Sequence, residues 1–222
     1  MSVLRRPSLR KLLLPFRLLL AGLLAAAALA PPAARASADI DQAWRQIVAT
    51  ADHRGLPFAI VDKREAVITV FDAQGHEVGR TPVLLGLAPG DDSTPGVGRR
   101  AQIGAVQPAE RTTPAGRFEA EPGRNLSGEP IVWLDYGAAL AIHRLRPGPS
   151  RERRAQRLAS PRLKDRRISL GCVVVPEPFY EAVIAPHLGR SRSVVYVLPE
   201  SRPLDTVLPP APLVAAAAAT AE

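Results

Sequence analysis

The chain has 222 residues, 46% hydrophobic and 23% charged, with a formal net charge of +8. Six of the positive charges sit in residues 1–36, which hold no acidic residue, so the remainder carries only +2 and makes a poor partner for nucleic acid. One cysteine rules out an internal disulfide, and four histidines without C-x-x-C or H-x-x-x-H spacing argue against a metal site. No phosphate loop, dinucleotide glycine pattern or internal repeat is visible.

Residues 1–36 read as a secretory signal peptide. Arg5, Arg6, Arg10, Lys11 and Arg17 precede an apolar run from Leu18 to Ala30, and Ala34-Arg35-Ala36 offers a cleavage site. The run falls short of the roughly 20 residues a membrane span needs, which leaves an uncleaved N-terminal anchor as the lesser alternative. No cysteine follows it to carry a lipid. The expected destination is the periplasm, across the inner membrane.

Residues 37–57 predict one amphipathic helix, with Ile40, Ala43, Trp44, Ile47, Val48 and Ala51 on the inward face. Asp39 or Asp41 is its expected cap, and Gly55 with Pro57 its end. Residues 58–200 then read as one mainly β domain. Phe58–Asp62 and Ala66–Phe71 form a hairpin around Lys63-Arg64-Glu65, and Glu77–Gly86 a third strand. Residues 87–112 predict a long loop, and Pro114–Phe118 a turn into another strand. Ile131–Leu134 and Ala138–Ile142 pair across Asp135-Tyr136-Gly137, leaving His143 at the exit. A helix capped by Ser150 runs to Leu158, a second opens after Pro176, and Ser193–Leu198 is the last strand. Residues 201–222 predict a disordered Pro/Ala-rich tail.

Two stretches stand out. Residues 144–167 hold ten Arg or Lys against Glu152 and Asp165: either a solvated helix face or a basic rim drawing a carboxylate-rich substrate. In Ser169-Leu170-Gly171-Cys172-Val173-Val174-Val175, glycine permits a sharp turn and the valines favour a strand. A thiol is thereby set beside backbone N–H groups, a geometry suited to a nucleophile with an oxyanion site. The other reading of Cys172 is a small buried hydrophobe. Of the histidines, His53 and His76 read as solvated and His187 as a helix-end cap. His143, between strand and loop, is the candidate base.

Ile142-His143 followed by Ser169-Leu170-Gly171-Cys172-Val173 resembles the L,D-transpeptidase (YkuD-like) family, as does Thr113-Pro114-Ala115-Gly116 ahead of a strand. The basic insertion resembles a branch with a longer His-to-Cys spacing. The resemblance implies a β-sandwich-like mixed sheet with a few peripheral α-helices. It also implies a cysteine acyltransferase acting on peptidoglycan stem tetrapeptides in cell-wall cross-linking, without metal or cofactor. Cys172 would attack and form a thioester, and His143 would act as base. Gly171 and Cys172 would supply oxyanion N–H groups, with Ser169 shaping the turn. Leu170 and Val174 depart from the family's His and its Asn or Arg, and Arg144, Arg146 and Arg167 are the candidates to bind substrate in their stead. The acceptor would be a second stem peptide, a lipoprotein amine, a free D-amino acid or, in an L,D-carboxypeptidase, water. A member that binds peptidoglycan without turnover is the alternative. A thiol redox sensor is disfavoured because no second cysteine exists to resolve an oxidised sulfur.

Overall fold

The computed structural model describes residues 37–210. The expected signal peptide (1–36) and residues 211–222 lie outside them.

Helix α1 (Ala38–Thr50) is capped not by Asp39 or Asp41 but by Ser37, whose hydroxyl accepts from the Ile40 N–H at 3.2 Å. It ends where Ala51 turns left-handed, earlier than Gly55. Ser37 holds the extended position just before Ala38, from which a hydroxyl can accept a first-turn N–H, whereas Asp39 and Asp41 already lie inside the helix. Ile40, Ala43 and Ile47 are buried. Trp44 lies at the rim, 36% exposed, with its indole N–H on the Gly75 carbonyl at 2.8 Å.

Strands β1 (Phe58–Asp62) and β2 (Val67–Phe71) form the expected hairpin, and β3 (Glu77–Pro82) pairs antiparallel with β2. The third strand breaks after Pro82 and resumes as β4 (Leu85–Gly86). The expected loop 87–112 carries a short helix, α2 (Val97–Gln102), seated on the turn of the following hairpin: a Cβ at Gly98 would collide with the Gly137 carbonyl. Strands β5 (Gly116–Arg124), β6 (Pro130–Asp135) and β7 (Leu140–Arg144) follow. The helix expected from Ser150 is split. Arg153 adopts φ 44°, leaving a 3-10 turn at Ser150–Glu152 and α3 at Arg154–Ala159. Strands β8 (Arg167–Ser169) and β9 (Val173–Val175) flank the cysteine loop, a helical run spans 177–187 with a π turn at Tyr180–Ile184, and β10 (Ser193–Val197) comes last.

The main sheet is mixed, in the order β3-β2-β1-β10-β5-β6-β7-β9, with β1–β10 and β7–β9 parallel and the rest antiparallel. Strand β5 pairs with β10 through Gly116–Ala120 and with β6 through Glu121–Arg124, so it joins two halves of one sheet. One core draws Ala59, Val61, Val195 and Val197 from the first half and Val132, Ile142, Val173 and Val175 from the second. The sheet therefore closes on itself like a sandwich, with Tyr180, Ile184 and Leu188 of the helical segment in the same cluster. A second cluster sets α1 over Phe58, Ile60, Val194 and Tyr196. Strands β1 and β10 are thus covered on both faces, which explains their unbroken apolar character.

Two expectations are overturned by packing. His53 is buried, its ring 5.0 Å from that of Phe58, rather than solvated. The expected tail starts inside the folded unit, with a 3-10 turn at Leu204–Thr206 and Leu208 buried against the α1 cluster. No helix among the described residues is long and apolar enough to cross a membrane.

Candidate active site

The parallel pair β7–β9 positions the two candidate catalytic side chains. Ile142 lies opposite Val173 and His143 opposite Val174. Ile142, Val173 and Val175 turn into the sandwich core. By strand alternation, His143 turns to the other face, and so does Cys172, one residue ahead of β9. Both are partly exposed.

His143 holds a fixed tautomer. Its Nδ1 lies 2.8 Å from the Arg144 carbonyl, which can only accept, so Nδ1 carries the proton and Nε2 keeps its lone pair. Burial of the imidazole pushes its pKa down to about 4, against the pull of that carbonyl; Arg146 and Arg154 lower it further and Glu129 opposes them. Burial likewise pushes the Cys172 thiol up, with Arg146 among the groups that oppose the rise. The resting pair is therefore neutral, thiol and imidazole, rather than an ion pair. The thiol donates to the Ala139 carbonyl at 3.5 Å, and no Cys172–His143 hydrogen bond is formed.

The cysteine loop is braced from within and from behind. The Ser169 hydroxyl donates to the Cys172 carbonyl at 2.7 Å and accepts from the Gly171 N–H at 3.1 Å. That engages the Gly171 N–H, an expected oxyanion donor, within the loop itself. Gly171 itself has φ 142°, and a Cβ there would lie 2.8 Å from the Thr112 carbonyl oxygen. Thr113, fully buried, donates to the Gly171 carbonyl at 2.7 Å and accepts from the Gly86 N–H at 2.8 Å. Sequence reasoning gave Thr113 no role. Its two partners lie 27 and 58 residues away, and only the Thr-Pro-x-Gly pattern pointed to it.

The two departures from the family pattern sit in different surroundings. Leu170 is 46% exposed. Val174 is buried in a third cluster with Leu84 and Leu158, and its backbone exchanges hydrogen bonds with Leu84 at 2.9 Å in both directions. It fastens α3, part of the basic insertion, to the sheet.

The arginines nominated for substrate differ too. Arg144 is engaged by Glu129, Glu177 and Glu181 at 3.3, 3.6 and 3.0 Å. Arg167 is paired with Glu200 and also donates to the Lys63 carbonyl. Arg146 Nε lies 2.7 Å from Glu129 Oε2 but is poorly aligned for a hydrogen bond, and its charge reaches both His143 and Cys172. Of the three it is the one whose charge acts on both candidate catalytic side chains. No cluster of His, Cys, Asp and Glu able to hold a metal ion occurs among the described residues.

No family model matches the sequence, and no curated protein matches it. Solved structures do. The helical cell shape determining protein Pgp2 from Campylobacter jejuni aligns over 70% of this chain and 50% of its own, with a TM-score of 0.45 and 13% identity. An L,D-transpeptidase from Mycobacterium smegmatis aligns over 64% of this chain and 58% of its own, with a TM-score of 0.36 and 15% identity. The catalytic domain of an E. faecium L,D-transpeptidase aligns over 64% of this chain and 95% of its own, with a TM-score of 0.33 and 18% identity. The chain thus spans about half the length of the Campylobacter protein.

Proposed function

We propose that the protein is an exported cysteine acyltransferase of the L,D-transpeptidase type, acting on peptidoglycan stem tetrapeptides in cell-wall cross-linking or remodelling. The observation that carries this reading is the pair itself: a thiol and a histidine with free Nε2, on one face of adjacent parallel strands, beside Arg146, which shares the Glu129 carboxylate with Arg144.

As substrate enters, the Cys172 thiol gives its proton to His143 Nε2 while sulfur attacks the carbonyl carbon of the third stem residue. The tetrahedral intermediate collapses to a thioester, and the departing amine of the terminal D-alanine takes the proton from His143. An incoming amine then attacks the thioester; its proton passes through His143 to the leaving thiolate. Water in place of the amine would make the same site a carboxypeptidase. A substrate carboxylate against Arg146 would cancel part of the field that depresses His143, so binding would strengthen the base.

The test is the intact mass of the protein after incubation with a disaccharide-tetrapeptide, with free D-alanine assayed in parallel. An acyl adduct with D-alanine release, both lost in Cys172→Ala, is expected. Peptide binding without adduct or D-alanine would replace this reading with a binding module that does not turn over. The engaged Gly171 N–H and the buried Val174 favour that second reading.

A further inference from the structure

The basic insertion does not serve the cysteine alone. Arg146 and Arg154 act on His143, but Arg157, Lys164 and Arg167 help line a separate concavity of about 450 Å³, together with Lys63, Arg64 and Glu200. Neither Cys172 nor His143 lines it.

Its charges do not balance. The Lys63 ammonium is fully buried and paired with Asp91 at 2.7 Å. Arg64 reaches Asp39 at 3.1 Å. Glu200, the one carboxylate in the wall, is held by Arg167 and by the Gly90 N–H at 2.6 Å, with Lys63 at 3.8 Å. Arg157 donates only to backbone carbonyls, of Glu152 at 2.9 Å and Asp165 at 3.2 Å. The Asp165 carboxylate bonds to Ser160 and Arg162, at 2.7 and 2.9 Å, and meets the Arg157 charge only through space. The Lys164 carbonyl accepts from the Arg167 N–H, but the Lys164 ammonium has no hydrogen-bonding or ionic partner among the described residues. Two positive charges, one a guanidinium fork with donors to spare and one a mobile ammonium, therefore face a pocket of small-molecule size.

We propose that this concavity binds the phosphoryl group of a phosphate monoester, with a sugar or similar carbon skeleton against Leu87, Pro89 and Leu163. A phosphate monoester carries close to two negative charges at neutral pH, whereas a single carboxylate leaves one cation unmatched. The guanidinium binds two oxygens side by side and the ammonium closes on a third. The apolar wall and the volume exceed what a bare phosphate ion uses. Leu87 donates its N–H to the Ser169 carbonyl at 3.1 Å, so the wall of this pocket and the base of the cysteine loop are one strand pair. The site stands independently of whether Cys172 turns over.

The test is calorimetric titration of the protein at low salt with glucose 1-phosphate, inorganic phosphate and a stem tetrapeptide in separate runs. Glucose 1-phosphate is expected to bind more tightly than inorganic phosphate, to weaken with added salt, and to be indifferent to Cys172→Ala. Lys164→Glu, on an exposed side chain with no internal partner, is expected to lower affinity about tenfold or more with an unchanged melting temperature. Arg157→Lys, which keeps the charge and loses the fork, should fall between. Absence of binding by either phosphate, or binding insensitive to Lys164→Glu, would overturn the site. Inorganic phosphate binding as tightly as the ester would overturn the role of the apolar wall. Tetrapeptide binding that is lost in Lys164→Glu, with no phosphate binding, would make this a carboxylate subsite and overturn the phosphate assignment.

Discussion

A histidine pushed down to about 4 keeps its base form far into acid, and this sets the pH behaviour of the site. The acid limb of the proposed acyl transfer is expected near pH 4 rather than near the 6.5 of an unperturbed imidazole. Arg146→Gln removes one of the charges that depress it, so that limb should move to higher pH; a pH profile of kcat/KM reads both. Linkage runs the same way for stability. Between pH 6.5 and 4 the unfolded chain takes up a proton at His143 that the folded one refuses, so the folded state weakens as pH falls through that window. Val174 makes a second point at this scale. Introducing the asparagine of the L,D-transpeptidase pattern by Val174→Asn would bury an amide in the Leu84–Leu158 cluster rather than equip the site. It is expected to cost about 1–3 kcal/mol in denaturant unfolding with no gain in activity.

At the level of elements, three segments far apart in the chain meet at the cysteine loop: β4 through Gly86, the end of the 87–112 loop through Thr113, and β8 through Ser169. Thr113 is the joint. Thr113→Val leaves a buried N–H and a buried carbonyl without their partner, a loss of about 1–3 kcal/mol for each such group. The expected outcome is a lower melting temperature together with faster alkylation of Cys172 by iodoacetamide, because the loop that shields the thiol loosens. Thr113→Ser, which keeps the hydroxyl, should restore both readings.

Across the whole molecule, the buried Lys63–Asp91 pair ties the first hairpin to the segment that follows β10. Asp91 also accepts from the backbone N–H groups of Glu200, Ser201 and Arg202 at 2.8, 2.9 and 3.1 Å, and from the Ser201 hydroxyl. Burial alone would push the Asp91 carboxyl up, but the Lys63 and Ser201 bonds and these N–H groups hold it well below the usual carboxylate range. Its contribution to stability is complete above the unfolded pKa near 4 and is lost as pH falls below that. Asp91→Ala strands the Lys63 ammonium in the interior and is expected to lower unfolding free energy by about 3–5 kcal/mol. Replacing both partners with apolar residues of similar size should recover most of it, since the desolvation cost disappears with the charges.

Local pattern was enough for most of the strands, though not for α2 or the split at Arg153. The hairpin at 58–71, the strands around 116, 131 and 140, and the last strand at 193 follow from runs of apolar and β-branched residues punctuated by turns, because side-chain period and turn chemistry act over a few residues. The same local logic singled out Cys172 with Gly171, and His143 at a strand exit, whereas Ser169 entered only through the resemblance. What the sequence could not decide were properties set by neighbours distant in the chain. Trp44 and Ala51 share a helical face with Ile47, yet only the packing of α1 on β1 and β10 determines where the buried stripe ends. Arg144, Arg146 and Arg167 are alike in sequence, and only the positions of Glu129, Glu177, Glu181 and Glu200 decide how many carboxylates each one meets. Charge compensation, burial and the engagement of a single N–H are all sums over the surrounding volume. The tertiary structure assigns them because it alone brings residues 27 to 110 positions apart within a hydrogen bond of one another.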